Sequence, residues 1–362
     1  MQTEQSSPDS GVLSGKPRLI QWAVLLLLSI LFSGILEFAR LPAALLVGPM
    51  LAAILCGTNG ATIRVFKPGF AGAQAIVGCL IAASISSDIF TALSSSWPLI
   101  LGVVLATVCA SSFLGWIISR WRILPGTTAV WGSAPGAATA MVLMAGAFGA
   151  DARLVAFMQY LRVIIVSLAA ALVARIWVDT GSVAPPQIVW FPEIEIPAFA
   201  ATLFIAVAGG VVGRLLRLPS PYFLGAMIVG IVLHIGLDLP MQIPEWLLAI
   251  SYALVGWSIG LNFTRPILRH ASKALPQVIA SILILVAFCG GLAWLLVHLL
   301  GIDPLTAYLA TSPGGMDSVA IIAAASNNVD ISFVMALQSA RFLLVLLLGP
   351  PLARYVARRV KP

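Results

Sequence analysis

Apolar runs long enough to cross a bilayer follow one another along almost the whole chain, and no soluble domain is left between them. Roughly 20 apolar residues in helical conformation span a hydrocarbon core of about 30 Å. Six such segments fill the first half, at 20–38, 42–57, 72–88, 97–119, 129–149 and 154–178. Six more follow at 197–216, 222–237, 246–263, 276–300, 306–326 and 333–356. Hydrophobic residues make up 60% of the chain and charged residues 9%, whereas soluble domains run near half and a quarter. The expected fold class is therefore an all-α integral membrane protein, with the lipid bilayer as its first partner. The polar remainder is a Ser- and Gln-rich tail at 1–17, read as disordered, and a connector at 179–196. No small-residue cleavage site follows the first apolar run, so the start does not read as a signal peptide.

Composition also excludes several functions. The formal charge of +7 sits at the ends of apolar runs, which is the mark of membrane topology and not of a nucleic-acid-binding face. Cys56, Cys79, Cys109 and Cys289 stand alone in apolar segments, and His234, His270 and His298 are scattered. No metal centre is expected from such spacing. Neither a catalytic constellation nor a Gly-x-x-x-x-Gly-Lys-[Ser/Thr] loop is present, so the chain reads as neither an enzyme nor an ATP-driven pump.

The two halves are related. Leu41-Pro42 with Gly48 and Met50 matches Leu218-Pro219 with Gly225 and Met227, and Gly78 matches Gly256. Ser133-Ala134-Pro135-Gly136 corresponds to Ser312-Pro313-Gly314, and Asp151, Gln159 and Arg162 correspond to Asp330, Gln338 and Arg341. The offset stays close to 178 residues throughout, as from Gly78 to Gly256. One register kept over that length indicates a tandem duplication, with repeats at 18–178 and 197–360.

Lysine and arginine positions orient the repeats, because these residues collect on the cytoplasmic side. With Lys16 and Arg18 inside, full crossings bring Arg64 and Lys67 inside, then Arg120 and Arg122. If both Pro-Gly segments enter and leave on one side, the 179–196 connector falls outside. Arg214, Arg217, Arg265, Arg269, Lys273 and the basic C-terminus then return to the cytoplasm, with Arg40 as the one exception. The expectation is two inverted repeats, each of five crossings plus one re-entrant or broken segment, in the inner membrane with both termini cytoplasmic. Interrupted segments at matching places in inverted halves point to the binding site of a secondary transporter.

The residues around the breaks define the candidate site. A helix that restarts after Pro and Gly offers free N–H groups and a positive dipole end to anions; the bland alternative is a kink or close packing. Arg162 and Arg341 lie about ten residues into their segments, some 15 Å deep at ~1.5 Å per residue. An arginine near the centre of the core costs at least about 2.5 kcal/mol on insertion scales and needs a partner. Gln159 and Gln338, three residues earlier, share a helix face with their arginines. These pairs are either guanidinium forks for an anionic substrate or structural ties to Asp317 or to the carbonyls of the breaks. The substrate-binding candidates are Ser133, Pro135, Gly136, Thr139, Gln159 and Arg162, with Ser312, Pro313, Gly314, Gly315, Ser318, Gln338 and Arg341. Asp317, whose counterpart is Thr139, is the candidate for coupling to H⁺ or Na⁺; silent neutralisation of Arg341 is its other reading. Asp151 and Asp330 are expected as N-caps.

Ser133-Ala-Pro-Gly136 through Arg162, and Ser312-Pro-Gly-Gly315 through Arg341, resemble the duplicated repeat of the AbrB membrane family of Gram-negative bacteria. The resemblance runs over nearly all of 20–360 and is fuller in the second half, since Ala137 and Thr139 depart in the first. It implies an organisation similar to cation/proton antiporters and to bile-acid and citrate carriers, with a scaffold and a moving transport domain. The expected function is secondary active transport of a small organic anion by alternating access. No cofactor is expected beyond H⁺ or Na⁺ as coupling ion, and a homodimer is compatible. The alternative is a membrane-embedded ligand sensor acting on gene expression. The family label "ammonia monooxygenase" finds no copper ligand set here.

Overall fold

The computed structural model describes residues 11–39, 43–83, 97–121, 127–135, 138–177, 189–218, 220–314, 319 and 329–359. Gly136, Gly315, Asp317, Ser318, tail residues 1–10 and connector residues 179–188 lie outside them. The described residues form helices joined by short turns and loops: α1 Arg18–Phe38, α2 Ala44–Thr58, α3 Lys67–Ala83, α4 Trp97–Arg120, α5 Thr128–Ser133, α6 Ala138–Ala147 and α7 Ala152–Trp177. Then come α8 Ile196–Leu215, α9 Pro221–Leu237, α10 Glu245–Gly260, α11 Arg265–Leu300, α12 Pro304–Thr311 and α13 Ile331–Arg359. Six of these (α1, α4, α7, α8, α11 and α13) contain stretches long and apolar enough to cross a membrane. Large apolar side chains such as Leu27, Ile30, Phe113, Phe204, Val207 and Trp294 are exposed. Exposed apolar side chains in such number suit lipid and would be a liability in water.

The chain divides into two compact units that do not follow its halves. One contains residues 1–82 and 189–272, the other 83–188 and 273–362. Each therefore draws on both repeats.

The first unit holds α1–α3 and α8–α10. Glycines let its helices approach closely: a Cβ on Gly225 of α9 would collide with the backbone carbonyl of Gly209 on α8. Gly78 of α3 faces the Phe223 carbonyl and Met227 N–H of α9, while its repeat equivalent, Gly256 of α10, faces the Leu46 carbonyl and Met50 N–H of α2. Each half thus supplies the groove that the other half's helix fills. Apolar clusters complete the packing, with Leu25, Ala53, Cys56 and Leu261 in one and Ala75, Cys79, Ile205 and Ala226 in another. Trp257 Nε1 donates to Ser29 Oγ at 2.9 Å. Ala43 and Ser220, which precede α2 and α9 at equivalent places, both adopt positive φ of 57°, so even this unfavourable backbone conformation is duplicated.

The second unit holds α4–α7, most of α11, α12 and α13. Its breaks arise where the sequence places them. A residue before proline is pushed out of the α region, and Ala134 and Ser312, before Pro135 and Pro313, have ψ of 124° and 131°. α5 and α12 end there. The expected N-caps are present: Asp151 Oδ1 accepts from the Arg153 N–H at 3.0 Å, and Asp330 Oδ1 from the Phe333 N–H at 2.9 Å. Asp330→Ala should lower stability by about 1 kcal/mol, the usual loss of a cap, read as a small fall in melting temperature in detergent.

One boundary differs from the sequence reading. Pro276 does not begin a helix; α11 starts at Arg265 and runs through it for 36 residues. At ~1.5 Å per residue that is about 54 Å, well beyond a bilayer core. Arg265, Arg269 and Lys273 lie before the proline, so these polar turns can leave the core, where water satisfies the carbonyl that Pro276 deprives of a donor.

Candidate functional site

A helix that stops in an apolar environment leaves its last carbonyls without partners, and no water is at hand inside a bilayer to take them. Both breaks meet this requirement in the same way. In the first, Gln159 Nε2 on α7 donates to the carbonyls of Trp131 at 2.8 Å and Ala134 at 3.0 Å. Arg162 Nη1 donates to those of Ser133 at 3.1 Å and Ala134 at 2.6 Å. Its Nη2 donates to Gln159 Oε1 at 2.7 Å. The second break repeats the pattern. Gln338 Nε2 on α13 reaches the carbonyls of Leu309 at 2.7 Å and Ser312 at 3.1 Å. Arg341 Nη1 reaches Thr311 at 3.4 Å and Ser312 at 2.7 Å, and Nη2 donates to Gln338 Oε1 and, at 3.4 Å, to Gly314.

Each Gln-x-x-Arg pair is thus a side-chain cap for the C-terminal end of a broken helix. The placement suits the charge, because the negative end of a helix dipole favours a cation. Gln159, Arg162, Gln338 and Arg341 are all at most 2% exposed. Both guanidinium groups lie in the second unit, where the Cys289 carbonyl of α11 accepts from Thr311 Oγ1 at 3.1 Å. Every oxygen that Arg341 meets among the described residues is an amide oxygen, so these contacts spread its charge over dipoles.

The other candidates fall around these caps. Ser133 lies in the last turn of α5; its carbonyl accepts from Ser111 Oγ of α4, and its own hydroxyl donates to Val130 O at 3.2 Å. Thr139, at the start of α6, shares a hydrogen bond of 3.3 Å with the Tyr160 hydroxyl. Pro135 and Pro313 are buried at the turns. Beside Arg162, a cavity of about 10 Å³ is lined by Ser111, Ser133, Ser281 and apolar side chains of α4, α7 and α11, room for about one water.

Sequence reasoning missed some participants. Thr128 Oγ1 accepts from the Asp151 N–H at 3.3 Å, and Thr306 Oγ1 from the Asp330 N–H at 3.2 Å. These two threonines keep the repeat offset, so extending the register by one turn would have found them. Ser111 and Cys289 stand 178 residues apart as well and are found the same way, whereas Tyr160 carries no such signal.

This capped, duplicated break lies within a stretch that matches one family along most of the chain: residues 45–357 fit the profile described as "Transition state regulatory protein AbrB". The chain belongs to the AbrB family. An Escherichia coli (strain K12) protein named "Putative regulator AbrB" is 47% identical over 339 residues, covering 93% of this chain and 97% of that protein. A more distant match is "Uncharacterized protein YhjN" of Bacillus subtilis (strain 168), 24% identical over 295 residues, which are 78% of this chain and 77% of that one. The AbrB resemblance drawn from the Pro-Gly breaks is thereby established over most of the chain. Its membrane character agrees with the six long apolar helices.

Proposed function

We propose that this protein is a secondary active transporter of a small organic anion, working by alternating access with its site at the two broken helices. The observation that carries this reading is the pair of buried guanidinium groups, each holding the end of a broken helix, brought together in one compact unit. Helices broken inside the membrane at matching places in two repeats supply what a carrier needs at mid-depth: polar backbone and fixed charge in an otherwise apolar medium. Two cations held by backbone dipoles make that region attractive to an anion. Inverted orientation of the repeats and an inner-membrane location with cytoplasmic termini belong to this reading and rest on the arginine and lysine distribution.

Uptake of labelled organic anions into proteoliposomes under an imposed H⁺ or Na⁺ gradient tests it. Flux that needs both protein and gradient is expected; its absence across carboxylates, sulfonates and phosphonates would remove the transport reading. Asp317→Asn separates coupling from binding. The expected result is loss of gradient-driven accumulation with equilibrium binding partly retained, whereas normal accumulation would make Asp317 a silent counter-ion.

A second reading draws on the word "regulator" in the name of the E. coli relative. Under it the same buried site senses a ligand and passes the signal to a partner. Binding of an anion without flux would favour it.

A further inference from the structure

Among the described residues, two polar atoms of the second break are buried and make no hydrogen bond: Arg341 Nε and Ser312 Oγ. Their residues are 2% and 1% exposed. Buried polar atoms are nearly always satisfied, so a pair of orphans in one place calls for an explanation. The geometry supplies one. Arg341 Nη1 is committed to the carbonyls of Thr311 and Ser312, and Nη2 holds Gln338 while reaching Gly314 only at 3.4 Å. The edge formed by Nε and Nη2 is the side-on face of a guanidinium, the one that matches a planar carboxylate. Nη2 of that edge reaches the Gly314 carbonyl at 3.4 Å, on the segment that also carries the orphan hydroxyl. Among the described residues, one further atom fits beside that hydroxyl: a Cβ built on Gly314 would sit 3.4 Å from Ser312 Oγ, 3.4 Å from Val166 Cγ1 and 3.5 Å from Val319 Cγ2, all ordinary contacts.

We propose that Ser312 Oγ and the Nε edge of Arg341 form a carboxylate subsite, one oxygen of which occupies the space over the Gly314 Cα. The ligand class rests on the anion-transport reading, but the subsite itself does not need transport. One guanidinium then divides its work: Nη1 holds the broken helix and Nε receives the ligand. Gly314 is required because any side chain would fill the oxygen's place. The first repeat offers no copy of the hydroxyl, since Ala134 stands at the position equivalent to Ser312.

Ser312→Ala and Gly314→Ala test this, measured by isothermal titration of the purified full chain with sodium acetate, malonate, succinate and benzoate, and with methylphosphonate as a tetrahedral control. Saturable binding of at least one carboxylate in preference to methylphosphonate is expected. Both variants should weaken it roughly 10- to 100-fold, the range of one hydrogen bond to a charged group. Without ligand, Ser312→Ala should keep or raise the melting temperature, because it removes an orphan hydroxyl, and Gly314→Ala should fold normally. A structural Ser312 would behave oppositely, with a lower melting temperature and unchanged affinity, and that result overturns the subsite. So does a preference for methylphosphonate, or binding to none of the carboxylates. Carboxylate binding lost in both variants but without proteoliposome flux would keep the subsite and discard transport; flux indifferent to both variants would do the reverse.

Discussion

Arg341→Met should be among the most damaging substitutions in the protein, because it strips the end of α12 of a cap in a place that water does not reach. The Ser312 carbonyl would keep only Gln338, at 3.1 Å, and Thr311 would lose its guanidinium contact. Gln338 would lose the donor that holds its own side-chain oxygen. Each buried polar group left unmet costs about 1–3 kcal/mol, so the variant should lose several kcal/mol and fail to accumulate as folded protein. Arg341→Lys keeps the charge, but its single ammonium cannot serve Ser312, Gly314 and Gln338 from one plane. It should fold with a lowered melting temperature and reduced anion affinity together. Measuring both on one purified sample is the check: a lysine variant as stable as the parent would show that the cap is dispensable.

A comparable loss is expected for Gly225→Ala, for a different reason. The added methyl meets the Gly209 backbone, which has no rotamer to change, so α8 and α9 must separate. Overpacking of this kind usually costs about 1–3 kcal/mol and sometimes more, and the displacement spreads to α3, whose Gly78 rests on the same α9. Gly236→Ala and Gly290→Ala, with nothing near the new methyl, should instead be neutral or gain up to about 1 kcal/mol through helix propensity. Unfolding midpoints for the three variants decide it, and equal midpoints would show that α8 and α9 are not held by close contact.

Much of this was legible in the sequence because its signals are local. Pro135 and Pro313 dictate the ψ of the residue before them, Asp151 and Asp330 cap the helices that start beside them, and the length of the apolar runs marks the spans. The Gln-x-x-Arg faces could be seen as buried and in need of partners. The carbonyls of the breaks stood among the expected partners, but which carbonyls could not be read, since any residue at 131, 133 or 309 would offer one. Pro276 misled because proline opens helices more often than it sits inside them, and nothing in its neighbours says that α11 had already begun. Pairing of α3 with α9 and of α2 with α10 escaped for another reason: a repeat register shows what is equivalent, not what touches.

That crossed pairing bears on how the protein is made. As the ribosome releases the first half, α5 can be capped at once, because Gln159 and Arg162 arrive within the same stretch of chain. Gly78 has no such luck: the helix it packs against begins at Pro221, more than a hundred residues later in synthesis. In the interval the membrane holds a half-protein whose costly polar ends are already covered while its glycine-lined grooves face lipid or the insertion machinery. Maturation is then a late docking of preformed, internally satisfied segments, and the second half serves as the first half's assembly factor in the same polypeptide.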